Sequence, residues 1–450
     1  MNKGIIIGGI VVLVGAASPY FCGSAIESKF DNQIKEFQVA LKQMDPSLTL
    51  EKTEYSKGWF SSTAKTVLTV DREKIPLEHK ITHGPFSYFG IGKIQTNIVF
   101  NDQQKQVVDS LFAGKQPILV TTNVGFSGVK SIELYSAEIN NKPDPTDPST
   151  TINWGGMTGN FNINGDRIIT DVNVPKFSLT QTRKSVEILG LTIKGDSAYS
   201  NDKDKLAAIN WAGNASLNID KFLVQSPEGI YSSKIALNAV STDDKANLGY
   251  NSTLKFTNIV VPQDLRITTA DSDLVEFGIG FNGIPKKPFV DFLKKVDEIQ
   301  QQGRTPSDSE VMRIGEPFVI AALQGTPSIT AHALITSKQG DANINAEAKL
   351  ATADTATDMM SLAMNAMNRL EITVTPSFSE SLLDEVVNEG QLRINKDEFI
   401  MGITENNRFI LNNGKFSGKF EFKQGQFYSN GQPDPELQQN IYYILPSGLF

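Results

Sequence analysis

Alternating apolar and polar residues recur along most of this chain, and this pattern restricts its fold more than any other feature. Ile94, Thr96, Ile98 and Phe100 alternate with more polar neighbours. Similar runs lie near residues 60–70, 118–139, 168–195, 230–260, 327–350 and 407–430. A period of two places apolar side chains on one face of a β-strand. The sequence therefore predicts a mainly β (α+β) fold, a large curved antiparallel β-sheet body with several covering helices.

Turn-forming residues separate these runs. Asn164-Gly165-Asp166, Asn412-Asn413-Gly414 and Asn430-Gly431 contain the residues that short hairpin turns favour, because asparagine and glycine tolerate positive φ. Between residues 140 and 149 the chain has three prolines. Proline removes a backbone donor and fixes φ, so we expect this run to sustain neither a helix nor a strand. It is the clearest predicted boundary in the body.

Several segments have a helical pattern instead. Phe30, Ile34, Phe37, Leu41 and Met44 recur at steps of three and four, which predicts an amphipathic helix that packs on the body or lies on a bilayer. Further helices are predicted at residues 103–113, 289–299, 309–324 and 378–388. The predicted parts are an anchor, 1–27, an N-terminal β-rich part with the amphipathic helix, 28–142, a central β part, 149–285, and a C-terminal α+β part, 286–450.

The start of the chain has the features of a membrane anchor. No charged residue lies between Lys3 and Glu27. As a helix, residues 4–26 are about 35 Å long, enough for a hydrocarbon core of about 30 Å. The segment is typical of an uncleaved signal anchor and also compatible with a cleaved signal peptide. The positive charge at Lys3 favours a cytoplasmic N-terminus and an exported body.

Composition excludes some classes of function. The net charge of −8 lacks the basic excess that a nucleic-acid phosphate backbone requires, so we expect no nucleic-acid partner. Cys22 is the chain's only cysteine and lies in the predicted anchor, so the body has neither a disulfide nor a thiolate metal site.

A short internal similarity lies in the central part. Ile152-Asn153-Trp154-Gly155-Gly156 leads into Phe161-Asn162-Ile163-Asn164, and Ile209-Asn210-Trp211-Ala212-Gly213 leads into Leu217-Asn218-Ile219-Asp220. Duplication of a strand-turn-strand unit explains this similarity, and coincidence in a chain rich in glycine and asparagine is the alternative.

Two local patterns resemble binding motifs but favour a structural interpretation. His79 and His83 have the spacing of a helical zinc site, but the segment between them lacks the glutamate of that motif. In an extended strand their Cβ atoms lie about 13 Å apart, too far to share a metal. Residues 278–283 match the GxGxxG pattern of dinucleotide sites. Val275, Phe277 and Ile279 alternate through the glycines, which predicts a glycine-lined strand.

Reactive motifs are equally weak. Ser62 and Lys65 fit the SxxK pattern of serine acyl enzymes without its companion motifs. A pair of carboxylates brought together by the fold stays open as an alternative. We therefore expect no enzyme activity, no cofactor and no metal.

A methionine stripe follows residue 358. Met360, Met364 and Met367 share one face of a predicted helix together with Ala363. Methionine is flexible and polarizable, so the stripe fills a core or lines an apolar groove for acyl chains or variable partners. These residues are the candidate binding site.

Several landmarks occur in a fixed order along the chain. They are Tyr20-Phe21-Cys22-Gly23 with Glu27, the segment Tyr55-Ser56-Lys57-Gly58-Trp59-Phe60-Ser61-Ser62, His83-Gly84-Pro85, Trp154-Gly155-Gly156 and Asn430-Gly431-Gln432-Pro433. In these the chain resembles the YdgA-like family of bacterial envelope proteins of unknown function. The resemblance implies a single-pass inner-membrane protein with its body in the periplasm, and homodimers. It brings no established catalytic residues. Gly58, Gly84 and Pro85 are explained as turn residues, and Trp59 is explained as a core anchor. The alternative is that the residues of these two segments are functional.

We expect a non-catalytic role in the cell envelope, in which the body binds lipid or another apolar ligand in a β-trough, or binds an envelope protein. The alternative is a structural homodimer or assembly factor without a small ligand, and a periplasmic hydrolase ranks third. An enclosed apolar groove favours the ligand binder, whereas an extended apolar outer patch favours the scaffold.

Overall fold

The structure is a computed structural model that describes most of the body of the chain. The described residues are 38, 48–58, 61–70, 73–82, 92–125, 128–145, 147–165, 167–198, 212–244, 246–262, 273–301, 304–388 and 395–437. The predicted anchor at 1–27 lies outside them, as do the amphipathic helix at 30–44 except for Gln38, and the C-terminal run 441–450. Among the described helices, none combines the length and apolar character that crossing a membrane requires.

The fold is mainly β, as the sequence predicts. The described residues form 23 strands, six α-helices and one short 3-10 helix, and the strand pairings among these residues are antiparallel. The chain divides into two compact units that separate near residue 201. The division of the body at residues 142–149 and 285 stays a prediction.

Among the described residues, the first unit has eleven strands and one complete helix. The strands are β1 (Thr49–Lys57), β2 (Ser61–Val70), β3 (Glu73–Thr82), β4 (Gly92–Ile98), β5 (Ile118–Gly125), β6 (Gly128–Ser136), β7 (Ile139–Pro143), β8 (Thr151–Trp154), β9 (Met157–Asn164), β10 (Arg167–Gln181) and β11 (Lys184–Ala198), and the helix is α1 (Asp102–Phe112). They pair in the order β1-β2-β3-β4-β5-β6-β9-β10-β11. Further along β10, residues 177–180 pair with β8, and β8 pairs in turn with β7.

One face of the first unit's sheet is buried. In β2 the buried side chains alternate with exposed ones along Ser62–Leu68, as a strand with one solvated face requires. The apolar cluster further along the sheet consists of Ile118, Val120, Ile132, Leu134, Met157 and Val174. Each fully buried aliphatic side chain contributes about 1.5–3 kcal/mol, so this cluster stabilises the unit substantially.

The proline-rich run corrects our prediction. We expected no strand between residues 140 and 149, but β7 extends to Pro143 and pairs with β8. Pro143 is tolerated because β7 pairs with β8 alone among the described strands and ends at this residue, where a missing donor costs little. The turn that follows is closed by Asp147, whose carboxylate accepts hydrogen bonds from Ser149 Oγ at 2.6 Å and Thr150 Oγ1 at 2.7 Å. The run is therefore an ordered connection between paired strands.

The second unit contains twelve strands and five α-helices among the described residues. The strands are β12 (Gly213–Ser226), β13 (Gly229–Asp243), β14 (Asn247–Val260), β15 (Leu274–Pro285), β16 (Ser328–Ser337), β17 (Gly340–Leu350), β18 (Leu370–Ser379), β19 (Ile410–Asn412), β20 (Lys415–Ser417), β21 (Phe420–Lys423), β22 (Gln426–Ser429) and β23 (Gln432–Pro433). The helices are α2 (Lys286–Gln301), α3 (Asp308–Gln324), α4 (Met359–Arg369), α5 (Glu380–Asn388) and α6 (Lys396–Thr404), followed by the 3-10 turn Glu405–Asn407.

Strands β12 to β18 form a meander in chain order, and β18 also pairs with β20 and β21. The hairpin signals are confirmed. Asn413 and Gly414 join β19 to β20, and Asn430 and Gly431 join β22 to β23. All four have positive φ, the backbone of a type I′ turn. Gly165, at the β9–β10 hairpin, also has positive φ.

The four helices predicted within the body are confirmed as α1, α2, α3 and α5. Ser307 caps α3 in a reciprocal pair with Glu310, which satisfies two backbone donors at the helix start. The prediction for residues 378–388 began too early, because Phe378 and Ser379 end strand β18. Helix α6 was not predicted.

The two copies of the internal similarity adopt different described structure. In the first copy, Ile152–Trp154 lies in β8 and Phe161–Asn164 lies in β9. Leu217–Asp220 of the second copy lies in β12, and residues 209–211 lie outside the described ranges. Duplication stays a prediction. Trp154 contacts Phe177 edge-on with the ring centroids 6.2 Å apart, and its Nε1 donates to Ser136 Oγ at 3.0 Å.

Candidate functional site

One face of the second unit's sheet exposes large apolar side chains. Phe277 and Ile279 in β15 are 48% and 46% exposed, and Ile329 in β16 is 49% exposed. Leu237, Tyr250 and Ile344 are exposed as well. An antiparallel sheet normally packs its apolar face against another layer. We name this surface, formed by Leu237, Tyr250, Phe277, Ile279, Ile329 and Ile344, the open apolar face.

The strand registers make this face continuous. Leu237, Leu254, Phe277, Ala333 and Ile344 are direct cross-strand neighbours in five successive strands, β13 to β17. Neighbouring strands lie about 4.8 Å apart, so the row is about 19 Å wide. Scattered exposed apolar residues are ordinary, but a contiguous patch of this kind indicates a binding surface.

The side chains within the open apolar face differ in size. Ala331 lies opposite Ala346, and Ala333 is the next residue of β16 on the same face. Beside them, Ile279 pairs with Ala331 on one side, and Val374 pairs with Ala346 on the other. On this face the alanines alternate with larger side chains, since Ala333 lies opposite Ile344 and Ala348 lies opposite Ile329.

At one edge the same face is covered. Phe378 of β18 stacks on Phe416 with the ring centroids 5.2 Å apart, and it also contacts Phe399 and Phe409. Phe416 is fully buried. The aromatic cluster therefore buries the β18 side of the face next to the exposed rows.

The opposite face of these strands is polar. His332 Nε2 lies 3.0 Å from Glu276 Oε1, and Lys255 Nζ lies 3.6 Å from Glu276 Oε2. Gly278 and Gly280 provide space for neighbouring side chains, since an added Cβ would lie 2.0 Å from His332 Cε1 and 2.3 Å from Asn251 Oδ1, respectively. The glycines of the GxGxxG pattern therefore lie in strand β15, as predicted, and Gly278 and Gly280 accommodate cross-strand side chains.

His79 has a structural environment in the first unit. It is buried between Thr66 Oγ1, 2.9 Å from its Nε2, and Thr96 Oγ1, 2.9 Å from its Nδ1. Burial lowers the pKa of His79 to about 4, so the imidazole is neutral at pH 7. His83 lies outside the described residues. The described part of the chain contains no group of three or more His, Cys, Asp or Glu side chains that could hold a metal.

The family-motif residues are only partly described. Trp59, Phe60, Gly84 and Pro85 lie outside the described ranges, like His83. Tyr55 lies in β1, and Lys52 Nζ is 5.7 Å from its ring centroid. A Cβ on Gly58 would lie 2.3 Å from the carbonyl oxygen of Ser61, so only glycine fits this turn.

Ser62 and Lys65 do not form a reactive pair. Ser62 is buried in β2, whereas Lys65 is exposed and pairs with Glu54 at 2.7 Å. Residues three apart in a strand lie on opposite faces, so the SxxK spacing separates the two side chains.

The methionine stripe lies on α4, but its side chains face outward. Met360 and Met364 are 76% and 67% exposed, and Met367 is 37% exposed. Leu362 is the residue of this helix that is fully buried. The alternative in which the methionines fill the core is therefore wrong. No described contact places them on the open apolar face.

Family membership follows from comparison of the whole sequence. The model of a bacterial protein family of unknown function, DUF945, matches residues 1–436. The chain belongs to the DUF945 family. Comparisons with curated proteins and with solved structures found no match. The DUF945 match includes the first compact unit, the second unit as far as residue 436 and the segment predicted as the anchor.

The sequence pattern alone did not identify the open apolar face as exposed. The alternation of Val275, Phe277, Ile279 and Phe281 indicated an apolar strand face. Whether another layer covers that face depends on distant parts of the chain, which a local pattern does not report.

Proposed function

We propose that this DUF945 protein is a non-catalytic envelope protein that binds the acyl chain of a lipid, or a similar apolar ligand, on the open apolar face. The observation that supports this proposal is the exposure of Phe277, Ile279, Ile329 and Ile344 on neighbouring strands. Burial of each methylene of a bound chain contributes about 0.8 kcal/mol, so a long chain gains substantial free energy there.

The mixture of small and large side chains on this face favours a flexible acyl chain over a rigid bulky ligand. Ala331 lies opposite Ala346, whereas Ala333 lies opposite Ile344, so small and large side chains alternate on β16 and β17. A flexible hydrocarbon chain can place its methylene groups between such side chains.

The proposal also includes location. The charge-free segment 4–26 anchors the chain in the bacterial inner membrane, and the body lies in the periplasm. The ordered landmarks that resemble the YdgA-like family support this location. A reporter fused after residue 30 is expected to be active only in the periplasm, and a cytoplasmic reporter would overturn the location.

Adjacent residues of β17 provide a matched test of ligand binding. Ile344 is exposed on the open apolar face, and Asn345 is exposed on the polar face of the same strand. We expect Ile344→Glu to remove lipid that mass spectrometry detects with the detergent-washed full-length protein, and Asn345→Glu to retain it. Lipid no higher than with an unrelated anchored protein, or equal lipid in both variants, would contradict the proposal.

A structural homodimer is the second candidate, and the openness of the face favours it. The row from Leu237 to Ile344 crosses five strands and exposes Leu237, Phe277 and Ile344, so a broad partner such as a second copy also fits. Analytical ultracentrifugation of the same variants distinguishes the two. A dimer that Ile344→Glu dissociates and Asn345→Glu preserves, without bound lipid, would favour the homodimer.

A further inference from the structure

Helix α4 lies at one end of the open apolar face. It joins β17, which ends at Leu350, to β18, which begins at Leu370, and these two residues are direct cross-strand partners. The next row of side chains on the same face includes Ile329, which is exposed, and Ile372 of β18. The helix therefore follows directly on the last rows of the face.

The outward side of α4 is apolar and uncharged. Met360, Met364 and Met367 share one helical face and are exposed, whereas Leu362 on the opposite side is fully buried. No residue from 359 to 368 carries a charge. An exposed apolar surface without charged side chains is unfavourable in water and favourable at the boundary between lipid headgroups and acyl chains.

Contacts on the inner side of α4 fix its orientation. Arg369 donates hydrogen bonds to the backbone carbonyls of Leu323 and Gly325 at 2.6 and 2.7 Å, and it pairs with Asp354 at 3.4 Å. Asn365 Nδ2 donates to the same carboxylate at 2.9 Å. The side chains of Arg369 and Asp354 are only 10% and 12% exposed, so these two charges are paired on the inner side and leave the methionine face neutral.

We propose that the methionine face of α4 contacts the surface of the bilayer, and that acyl chains pass between the bilayer and the open apolar face at this end. The passage rests on the proposed lipid-binding function. An acyl chain that crossed water would lose hydrophobic stabilisation with every exposed methylene, so a lipid-binding face needs an apolar connection to the membrane. Methionine side chains are flexible and unbranched, so they adapt to disordered acyl chains.

Two features favour a bilayer over another protein as the partner of this face. The proposed anchor at residues 4–26 keeps the body beside the membrane, which raises the local concentration of lipid around it. The methionine face also lacks the charged side chains that give protein interfaces their orientation and specificity.

Helix α6 provides a matched control at the other end of β18. Phe399 of α6 contacts Phe378, with the ring centroids 6.5 Å apart. Phe378 lies near the end of β18, about 26 Å from Leu370 at 3.3 Å per residue. Met401 of α6 is 69% exposed, so a probe there is as accessible as a probe at Met364.

Fluorescence quenching by lipid tests the contact. The full chain carries Cys22→Ser with either Met364→Cys or Met401→Cys, and the new cysteine carries an NBD fluorophore. The protein is reconstituted in vesicles of phosphatidylethanolamine and phosphatidylglycerol that contain doxyl-labelled phospholipid. We expect a blue shift and strong quenching of the probe at position 364, and neither at position 401. Equal quenching at both positions, or none at position 364, would overturn the proposal.

Two further variants separate the membrane contact from lipid binding. A phospholipid with a photoactivatable acyl chain is expected to crosslink to peptides that contain Ile329 or Ile344. Replacement of the three α4 methionines by glutamine should reduce this crosslinking several-fold, and the double variant Met312→Gln, Met401→Gln should leave it unchanged. Equal crosslinking in the triple and double variants would contradict the passage.

Ile344→Glu is expected to lose bound lipid and to retain the quenching at position 364. If the parent chain binds no lipid while position 364 is quenched, the proposed function and the passage fail and the membrane contact stands. If the parent chain binds lipid while position 364 is not quenched, the contact is wrong and the proposed function stands.

Discussion

The imidazole of His332 reaches Glu276 by lying across Gly278. Its Nε2 is 3.0 Å from Glu276 Oε1, and a Cβ on Gly278 would lie 2.0 Å from its Cε1. Gly278 and His332 are direct partners between β15 and β16, so the missing side chain of one provides the space for the other. The second glycine of the pattern, Gly280, accommodates Asn251 and Thr330 in the same way.

Gly278→Ala is expected to displace the His332 ring and lower the free energy of unfolding by about 1–3 kcal/mol. Thermal or denaturant unfolding measures the change. Gly402→Ala is the control, because nothing lies within 4 Å of its ideal Cβ and alanine favours the α6 helix. In a His332→Ala background the ring is absent, so Gly278→Ala should cost much less. An equal cost in both backgrounds would contradict the steric explanation.

Acid is expected to destabilise the first unit through His79. Its pKa is about 4 in the folded protein against 6.5 as the ordinary value. The unfolded chain therefore binds a proton first, and the free energy of unfolding falls as the pH drops from 6.5 towards 4, by about 3 kcal/mol in total. Urea unfolding of His79→Gln at several pH values should show a smaller dependence in this range. His332→Gln, at a half-exposed site, is the control. An unchanged pH dependence in His79→Gln would exclude protonation of His79 as the cause of the acid destabilisation.

Removal of Arg408 is expected to destabilise the C-terminal strands. Arg408 contacts both carboxylate oxygens of Asp434 at 2.8 and 3.0 Å, and Asp434 is 6% exposed. The guanidinium of Arg408 holds the pKa of Asp434 well below its usual range. Arg408→Met leaves this carboxylate without its cation and should cost about 3 kcal/mol in urea unfolding. Glu436→Gln, at an exposed contact of the same guanidinium, should cost at most about 1 kcal/mol. Equal losses of stability in the two variants would show that the burial of Asp434 does not determine the effect.

Helix α4 should tolerate change on one side only. Leu362→Ala removes a fully buried side chain and is expected to cost about 2–5 kcal/mol. Met364→Ala, at a position that is 67% exposed, should stay within about 0.5 kcal/mol of the parent. Denaturant unfolding of the two variants checks the burial pattern. A large cost for Met364→Ala would mean that the stripe is covered.

Local sequence patterns were sufficient for most of the secondary structure. The alternation of residues 230–260 and 327–350 predicted β13, β14, β16 and β17, because the strand period is a property of neighbouring residues. Turn chemistry was equally local, since asparagine and glycine themselves tolerate the positive φ that Asn413-Gly414 and Asn430-Gly431 adopt.

One local prediction was wrong because strand pairing outweighed propensity, and one helix was not predicted. Pro143 is the last residue of β7, because pairing with β8 alone leaves its missing donor without consequence. Helix α6 was missed because it is short and contains Gly402 and Thr404, both poor helix formers. Its one local signal was Asn395, whose side chain caps the Asp397 and Glu398 amides.

The sequence by itself determined the β-class of this protein, the positions of its hairpins and the shared face of the three methionines. Only the tertiary structure decided which apolar faces are covered. Val120 and Ile279 both lie on alternating strands, yet Val120 is buried in a core and Ile279 is exposed on the open apolar face. The physical reason is that periodicity depends on residues next to each other in the chain, whereas burial depends on elements that pack together from distant parts of it.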